Sequence, residues 1–191
     1  MQTEDVISVN FESGVLSGAG VVESACTLAG LKGIFRDEAA YGALDQATVV
    51  YRVQSFLPVA EGVEGGLFWG TTFVEPGQVG DEYFMTKGHF HAKRDRGEYY
   101  VTAVGSGALI LMSEDRVTRV EFMKPGSTHY IPGHTAHRVA NVGDTVLSFL
   151  ACWPSDAGHD YQVIAEHGFS ARLRCIHGKP ELVGSASEEA K

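Results

Sequence analysis

The sequence predicts an all-β chain that closes on itself as a sandwich or barrel. Three observations carry this. From Thr48 onward the chain is a series of short runs rich in Val, Thr and aromatics: "TVVYRVQSF", "GLFWGTTFV", "EYYVTAV", "GALILM", "RVEFM", "THYIP" and "TVLSFLACW". β-branched and aromatic side chains suit a pleated, half-buried surface. Gly, Pro, Asn and Asp punctuate the runs, as turns require. No helical pattern alternates with them, which argues against a parallel sheet covered by helices. Many short strands with open edges invite aggregation, so closure is the stable solution.

Taken in order, residues 1–45 are mixed and read as an N-terminal extension packed on the barrel. Within them "LKGIFRDEAAYGAL" (31–44) is alanine-rich and predicts a short helix. Residues 46–180 form the barrel. Residues 181–191, ending in small and polar "GSASEEAK", are expected to fray. The chain has 191 residues, enough for one domain with a sizeable core, and 44% are hydrophobic. No apolar run approaches the about 18 residues needed to span a bilayer. The first residues, "MQTEDVISVN", are acidic and polar where a secretory signal is basic and then apolar. A cytoplasmic location and no membrane contact are the resulting expectations. Cys26, Cys152 and Cys175 are scattered and read as reduced thiols. The net charge of −9 argues against a nucleic-acid binder. An anionic ligand then needs a local basic patch, and the segment from Lys87 to Arg96 is the candidate.

The chemistry concentrates in "TKGHFHAKRDRGEYY" (86–100). Residues i and i+2 of a strand share a face, so His89 and His91 project together. Glu98 lies at an odd offset from His91. The turn-like "AKRDRG" between them lets the chain reverse and return Glu98 beside the pair. His137, in "PGHTAHRVAN" (132–141), is the fourth candidate. Three imidazoles and one carboxylate can hold a divalent transition ion and leave positions open for substrate or water.

The order of these residues resembles the two signature motifs of the cupin superfamily. His89, His91, Glu98 and Gly105 follow the first, although six residues separate His91 from Glu98 where three or four are common. Gly126, Pro132, His137 and Asn141 match the second, except that His134 stands where a glycine is expected and Gly133 comes one residue early. The resemblance implies a cupin double-stranded β-helix, a jelly-roll barrel. His129 and His134 are left as structural or rim histidines.

"TTFVEPGQVGDEYFMTKGHFHAK", "YIPGHTAHRVAN" and "PSDAGHDYQVIAEHGF" are similar to the cupin-type glucose-6-phosphate isomerase family over residues 10 to 170. The "AGHDY" segment is not a general cupin feature. This resemblance implies a homodimeric, metal-dependent aldose–ketose isomerase acting on a sugar phosphate. It implies His89, His91, Glu98 and His137 as metal ligands. Thr72, Thr86 and Gly88 fall on phosphate contacts, and Tyr100, His159 and Tyr161 on substrate-side groups. Trp153 stands where the family often has a tyrosine that reaches the phosphate. Indole donates one hydrogen bond and accepts none.

Residue chemistry fits these implied roles. Threonine hydroxyls and a close backbone N–H at glycine suit a phosphate, although threonine is also frequent in strands. Lys87 and nearby arginines would supply charge. Isomerisation needs a Lewis acid on the sugar oxygens and a base at the carbons. Glu98 is the leading base and His159 a ring-opening or proton-shuttling group. A metal-bound carboxylate is a weakened base, so a hydride shift stays open as the other route. Fe(II) is the expected ion, with Mn, Ni or Zn compatible. Two other functions use the same ligands or fold: an Fe(II) cupin dioxygenase and a non-catalytic sugar-binding cupin. The first has no need of a phosphate cradle or of "AGHDY", and proteins of the second kind often lose ligands, whereas this chain keeps all four.

Overall fold

The short runs become strands in the computed structural model, which describes residues 6–184. β1 (Ser8–Val9) and β2 (Leu16–Ser17) form a small antiparallel ribbon. β3 (Val21–Thr27) leads through a 3₁₀ turn at Leu28–Leu31 to α1 (Glu38–Ala43), the helix expected within 31–44. Asp37 caps α1, its carboxylate accepting from the Ala40 N–H at 2.8 Å. Then follow β4 (Val49–Phe56), β5 (Leu67–Val74), β6 (Gln78–Val79), β7 (Glu82–Tyr83), β8 (Glu98–Val104) and β9 (Gly107–Ser113). Next come β10 (Thr118–Met123), β11 (Thr128–Ile131), β12 (Thr135–Asn141) and β13 (Leu147–Pro154). After α2 (Gln162–His167), β14 (Ala171–Ile176) and β15 (Lys179–Gly184) complete the described chain.

Two sheets enclose the core. The large one runs β11-β8-β13-β5-β4-β3 and the small one β10-β9-β12, all antiparallel. The stretch after β7 extends the small sheet, because Met85 bridges to Ala140 and His89 to His137. This is the expected jelly-roll arrangement, with sheets that face each other without closing into one continuous ladder. A third sheet, β15-β14-β7-β6, packs outside. Both faces of β9 are therefore covered, and its "GALILM" is buried at every position. β8 alternates instead. Glu98, Tyr100 and Thr102 turn inward, while Tyr99 is exposed and its ring meets that of exposed Tyr130 at a tilt of 39°.

Two boundaries differ from a reading by composition. β3 belongs to the N-terminal 45 residues, yet it pairs along its whole length with β4 and is the edge of the large sheet. Residues 181–184, grouped with the tail, are the last four of the six residues of β15, which pairs with β14 through a two-residue His177-Gly178 turn with positive φ at both positions. Residues 185–191 lie outside the described residues. No helix among the described residues is long and apolar enough to cross a membrane.

The motif residues outside the ligand set shape the backbone. Asn141 is fully buried; its amide donates to the carbonyls of Val74 and Thr145, each at 2.8 Å, and its oxygen accepts from Gly143 N–H at 2.9 Å. His134 has φ 59°, in the left-handed region that favours glycine, at the position where the second motif carries one. Gly133 is needed for another reason: a Cβ there would come within 2.8 Å of the Asp95 backbone.

Candidate metal centre and substrate pocket

β8, β12 and the extended stretch before β8 bring the four candidate ligands together. One ligand atom from each of His89, His91 and His137 can be chosen so that all lie within 4.8 Å of one another. Glu98 Oε1 is 2.6 Å from His137 Nε2 and 3.7 Å from His91 Nε2. Yet Glu98 Oε1 and His137 Nε2 are both buried and lack hydrogen-bond geometry to any partner. Two inward-facing polar atoms without a hydrogen bond are what ligand atoms around a cation look like when only protein atoms are present. The other ring nitrogens are held from behind. His91 Nδ1 donates to the Arg96 carbonyl at 2.8 Å and His137 Nδ1 faces the Thr135 carbonyl at 3.3 Å. Both Nε2 atoms are thereby directed inward, the usual support for metal-binding imidazoles. The donor set of three nitrogens and one carboxylate suits a divalent transition ion.

Electrostatics supports the same reading. Burial, with His137 and His159 nearby, pushes the His89 pKa well below its ordinary value, so its imidazole is neutral and able to ligate. Burial opposes charge on His91 too, but the Glu98 carboxylate outweighs it and raises the His91 pKa. Burial also works against the Glu98 anion. The neighbouring His137 and His91 overcome this and hold the carboxyl well below the usual range. Glu98 is thus ionised in a site from which water is nearly excluded, with its side chain 5% exposed.

The cluster sits at one side of a cavity of about 150 Å³ lined by the inner face of the large sheet. Strand alternation supplies the lining: Tyr51 and Val53 from β4, Gly70 and Thr72 from β5, Phe149, Ala151 and Trp153 from β13. Thr86, Lys87, Gly88, His159 and Tyr161 complete the wall opposite. Of the candidate metal ligands and substrate contacts named from the sequence, all but His91 line the cavity. Thr86 Oγ1 accepts from Val139 N–H at 3.0 Å, which leaves its own O–H free to donate into the cavity. Gly88 has φ 78°, and a Cβ there would be 2.7 Å from Arg138 Nε. Only glycine lets the backbone pass so close. Trp153 packs edge-on to Phe68, and a Cβ on Gly70 would meet the indole ring at 3.1 Å. The large side chain is accommodated by glycine opposite. His159 and Tyr161 stack at the mouth, with ring centroids 5.7 Å apart, and Lys87 Nζ lies 4.8 Å from the Tyr161 ring centroid. Burial and the Glu98 charge push the Tyr100 pKa up, so its phenol keeps its proton beside the carboxylate.

The basic segment is used differently from the expected anion patch. Lys93 and Arg96 both bind Asp156, at 2.7 and 2.8 Å. Arg94 pairs with Asp160 and also donates to the His91 carbonyl. Only Lys87 of the four lines the cavity. The others fasten the turn before Glu98 to the segment after β13, and so hold the candidate ligands in place. His129 is buried between Glu121 and Ser127, and His134 is exposed beside Glu114, both away from the cluster. Sequence reasoning missed Tyr51, which lines the cavity from β4. Alternation in "TVVYRVQSF" places Tyr51 and Val53 on one face, but does not say that this face turns inward.

Comparison with known proteins agrees with the geometry. The family described as "Glucose-6-phosphate isomerase (GPI)" matches residues 26–184. The glucose-6-phosphate isomerase of Pyrococcus horikoshii is 45% identical over 179 residues, 93% of each chain. That of Sinorhizobium medicae is 40% identical over 149 residues, covering 76% of this chain and 68% of the relative. Among solved structures, an oxalate decarboxylase from Bacillus subtilis is similar at 22% identity and a TM-score of 0.44, over 57% of this chain and 26% of the other, too distant to bear on the chemistry. The family match spans the ligand cluster, the cavity wall and the "AGHDY" segment at its mouth, and on it this chain belongs to the glucose-6-phosphate isomerase family.

Proposed function

We propose that the protein interconverts glucose 6-phosphate and fructose 6-phosphate at one divalent transition metal ion held by His89, His91, Glu98 and His137. The observation that carries this is the convergence of three imidazoles on an ionised, buried Glu98 at the wall of a cavity that also offers hydroxyl and backbone donors. Fe(II) is the proposed native ion. The same donor set accepts Mn, Ni or Zn. When bound, the ion supplies Lewis acidity to the C1 and C2 oxygens of the open-chain sugar.

The chain's residues do the rest. Thr72, Thr86 and the Gly88 N–H take the phosphate, and the charge of Lys87 attracts it. The Trp153 N–H is the single donor that position can offer. Glu98 takes the proton from C2 of the aldose and returns it to C1, while the hydroxyl proton passes from O2 to O1. His159, exposed at the mouth, opens the ring, and Tyr161 stacks against it. Tyr100 stays protonated beside Glu98 and steadies it. A homodimer in the cytoplasm, serving glycolysis or gluconeogenesis, completes the proposal and rests on the family likeness.

The test is a coupled assay of fructose 6-phosphate conversion, run beside an oxygen electrode. We expect glucose 6-phosphate to form with no oxygen uptake, and His137→Ala to lose both bound metal and turnover. Oxygen uptake without conversion would make the site a dioxygenase. Sugar binding without conversion in the metal-loaded protein would make it a binding module.

A further inference from the structure

A second cavity lies outside the barrel, where the outer face of β12 meets α2 and β14. Its volume is about 300 Å³. Ile34, Ile164 and Phe169 give it apolar walls, and two guanidinium groups, Arg138 and Arg172, line the same space. Strand alternation explains how Arg138 comes here: its neighbour His137 points to the ligand cluster, so Arg138 points the other way.

The two arginines are unequally provided for. Arg172 Nη1 donates to Glu82 Oε1 at 2.8 Å and to the Ile34 carbonyl at 3.0 Å. The second oxygen of Glu82 accepts from the Arg36 backbone N–H at 2.7 Å. Glu82 is therefore occupied by partners other than Arg138. Arg138 is 7% exposed. Its Nη2 donates to the Lys87 carbonyl at 2.9 Å, and its Nη1 faces Met85 Sδ, a weak acceptor, at 3.3 Å. Its Nε has no hydrogen-bond partner. The Phe169 ring covers one face of the guanidinium, with its centroid 4.3 Å away. No ion pair joins Arg138 to a carboxylate among the described residues. A guanidinium stays charged in a protein, and a buried charge without a counter-charge is strongly unfavourable.

The geometry points to a binding site for a small organic monocarboxylate, its carboxylate on Arg138 and its apolar body against Ile34, Ile164 and Phe169. Two guanidinium groups share the cavity wall with the single carboxylate of Glu82, which is hydrogen-bonded to Arg172, and the positive charge left in excess matches a singly charged anion. Apolar walls favour a hydrocarbon body over bare inorganic phosphate. Glu166 lies at the edge of the space, tied to Gln162 Nε2 at 2.8 Å. The carbonyls ending α2, which would repel an anion, are turned to Arg116: the His167 carbonyl accepts from it at 3.1 Å.

The probe is 4-bromobenzoate, whose bromine locates it by anomalous scattering. Crystals of the metal-loaded full chain are soaked with it, and binding is measured in solution by calorimetry. Two variants accompany the wild type. Arg138→Met removes the charge, and Ala165→Leu, at an exposed position on the cavity rim, narrows the cavity while keeping both arginines. We expect bromine among Ile34, Ile164 and Phe169 with the carboxylate on Arg138. We also expect saturable solution binding that weakens at least about tenfold in each variant. The proposal is overturned by water alone in the cavity, by a terminal segment or second copy of the chain filling it, by binding at crystal concentration only, or by equal affinity in the variants. If Arg138→Met fails to fold, Ala165→Leu decides.

Discussion

At the scale of single residues the site turns on Glu98. Its carboxylate is ionised because His91 and His137 face it, and the same neighbours weaken it as a base. Glu98→Gln separates the two roles proposed for it, ligand and base. Three imidazoles remain, so metal binding should weaken and be restored by excess ion. Loss of a general base typically costs about 10² to 10⁴ in rate. We predict kcat down at least about a hundredfold at saturating metal. Turnover of C2-deuterated glucose 6-phosphate by the wild type should lose label to water. Full retention at C1, with near-normal kcat in the glutamine variant, would assign the reaction to a hydride shift instead. His134 gives a second residue-scale prediction. Its φ of 59° is strained for any residue with a Cβ, by about 1–2 kcal/mol, while glycine adds entropy to the unfolded chain. His134→Gly should raise stability by about 0.5–1 kcal/mol in denaturant unfolding. A loss of stability would mean that the contact with Glu114 outweighs the backbone strain.

At the scale of elements, the turn between His91 and Glu98 is held by a long-range pairing. Lys93 and Arg96 grip Asp156, and Arg94 grips Asp160. The hydrogen bonds from Arg96 and Lys93 hold the Asp156 carboxyl far below its ordinary value. A carboxyl depressed on folding adds stability above its unfolded pKa of about 3.9, and loses it as pH falls through the folded value. Wild type should therefore exceed Asp156→Asn in Tm at pH 7, and the gap should shrink as pH falls below about 4. A gap independent of pH would remove this ion cluster from the account. Short-range spacing carried the ligands in the sequence, because His89 and His91 share a strand face and a turn returns Glu98. It could not show that the intervening lysine and arginines are paired with residues some sixty positions later. The sequence offered them as an anion patch. Only Lys87 has that placement.

At the scale of the whole molecule, the all-β class was legible, because β-rich runs and turn residues are local signals, whereas the jelly roll was implied by the likeness to the two cupin motifs. The role of β3 as the edge of the large sheet, and the extension of β15 to Gly184, were not. The first depends on a partner strand that lies beyond α1, and the second on a local His177-Gly178 hairpin that composition alone did not mark. Tyr51 and Val53 were missed because a strand's inner face is known only once its register with β5 is known. Thr86 was read for one hydroxyl contact, whereas its oxygen also receives the Val139 N–H across to β12. The substrate cavity and the ligand cluster meet because the two sheets face each other. Imidazole ligands must give up protons to bind a cation, so metal affinity should fall with acidification, most sharply through His91, whose pKa is raised.

The central claim is that this cluster performs sugar-phosphate isomerisation with a bound divalent ion. The most direct measurement removes the metal with a chelator, returns Fe(II), Mn(II), Ni(II) or Zn(II) singly, and follows fructose 6-phosphate to glucose 6-phosphate. Activity should vanish on chelation and return at about one ion per chain with at least one of these metals, and His89→Ala should not be rescued at that stoichiometry. Full activity in the chelated, metal-free protein, or undiminished activity in His89→Ala, would contradict it.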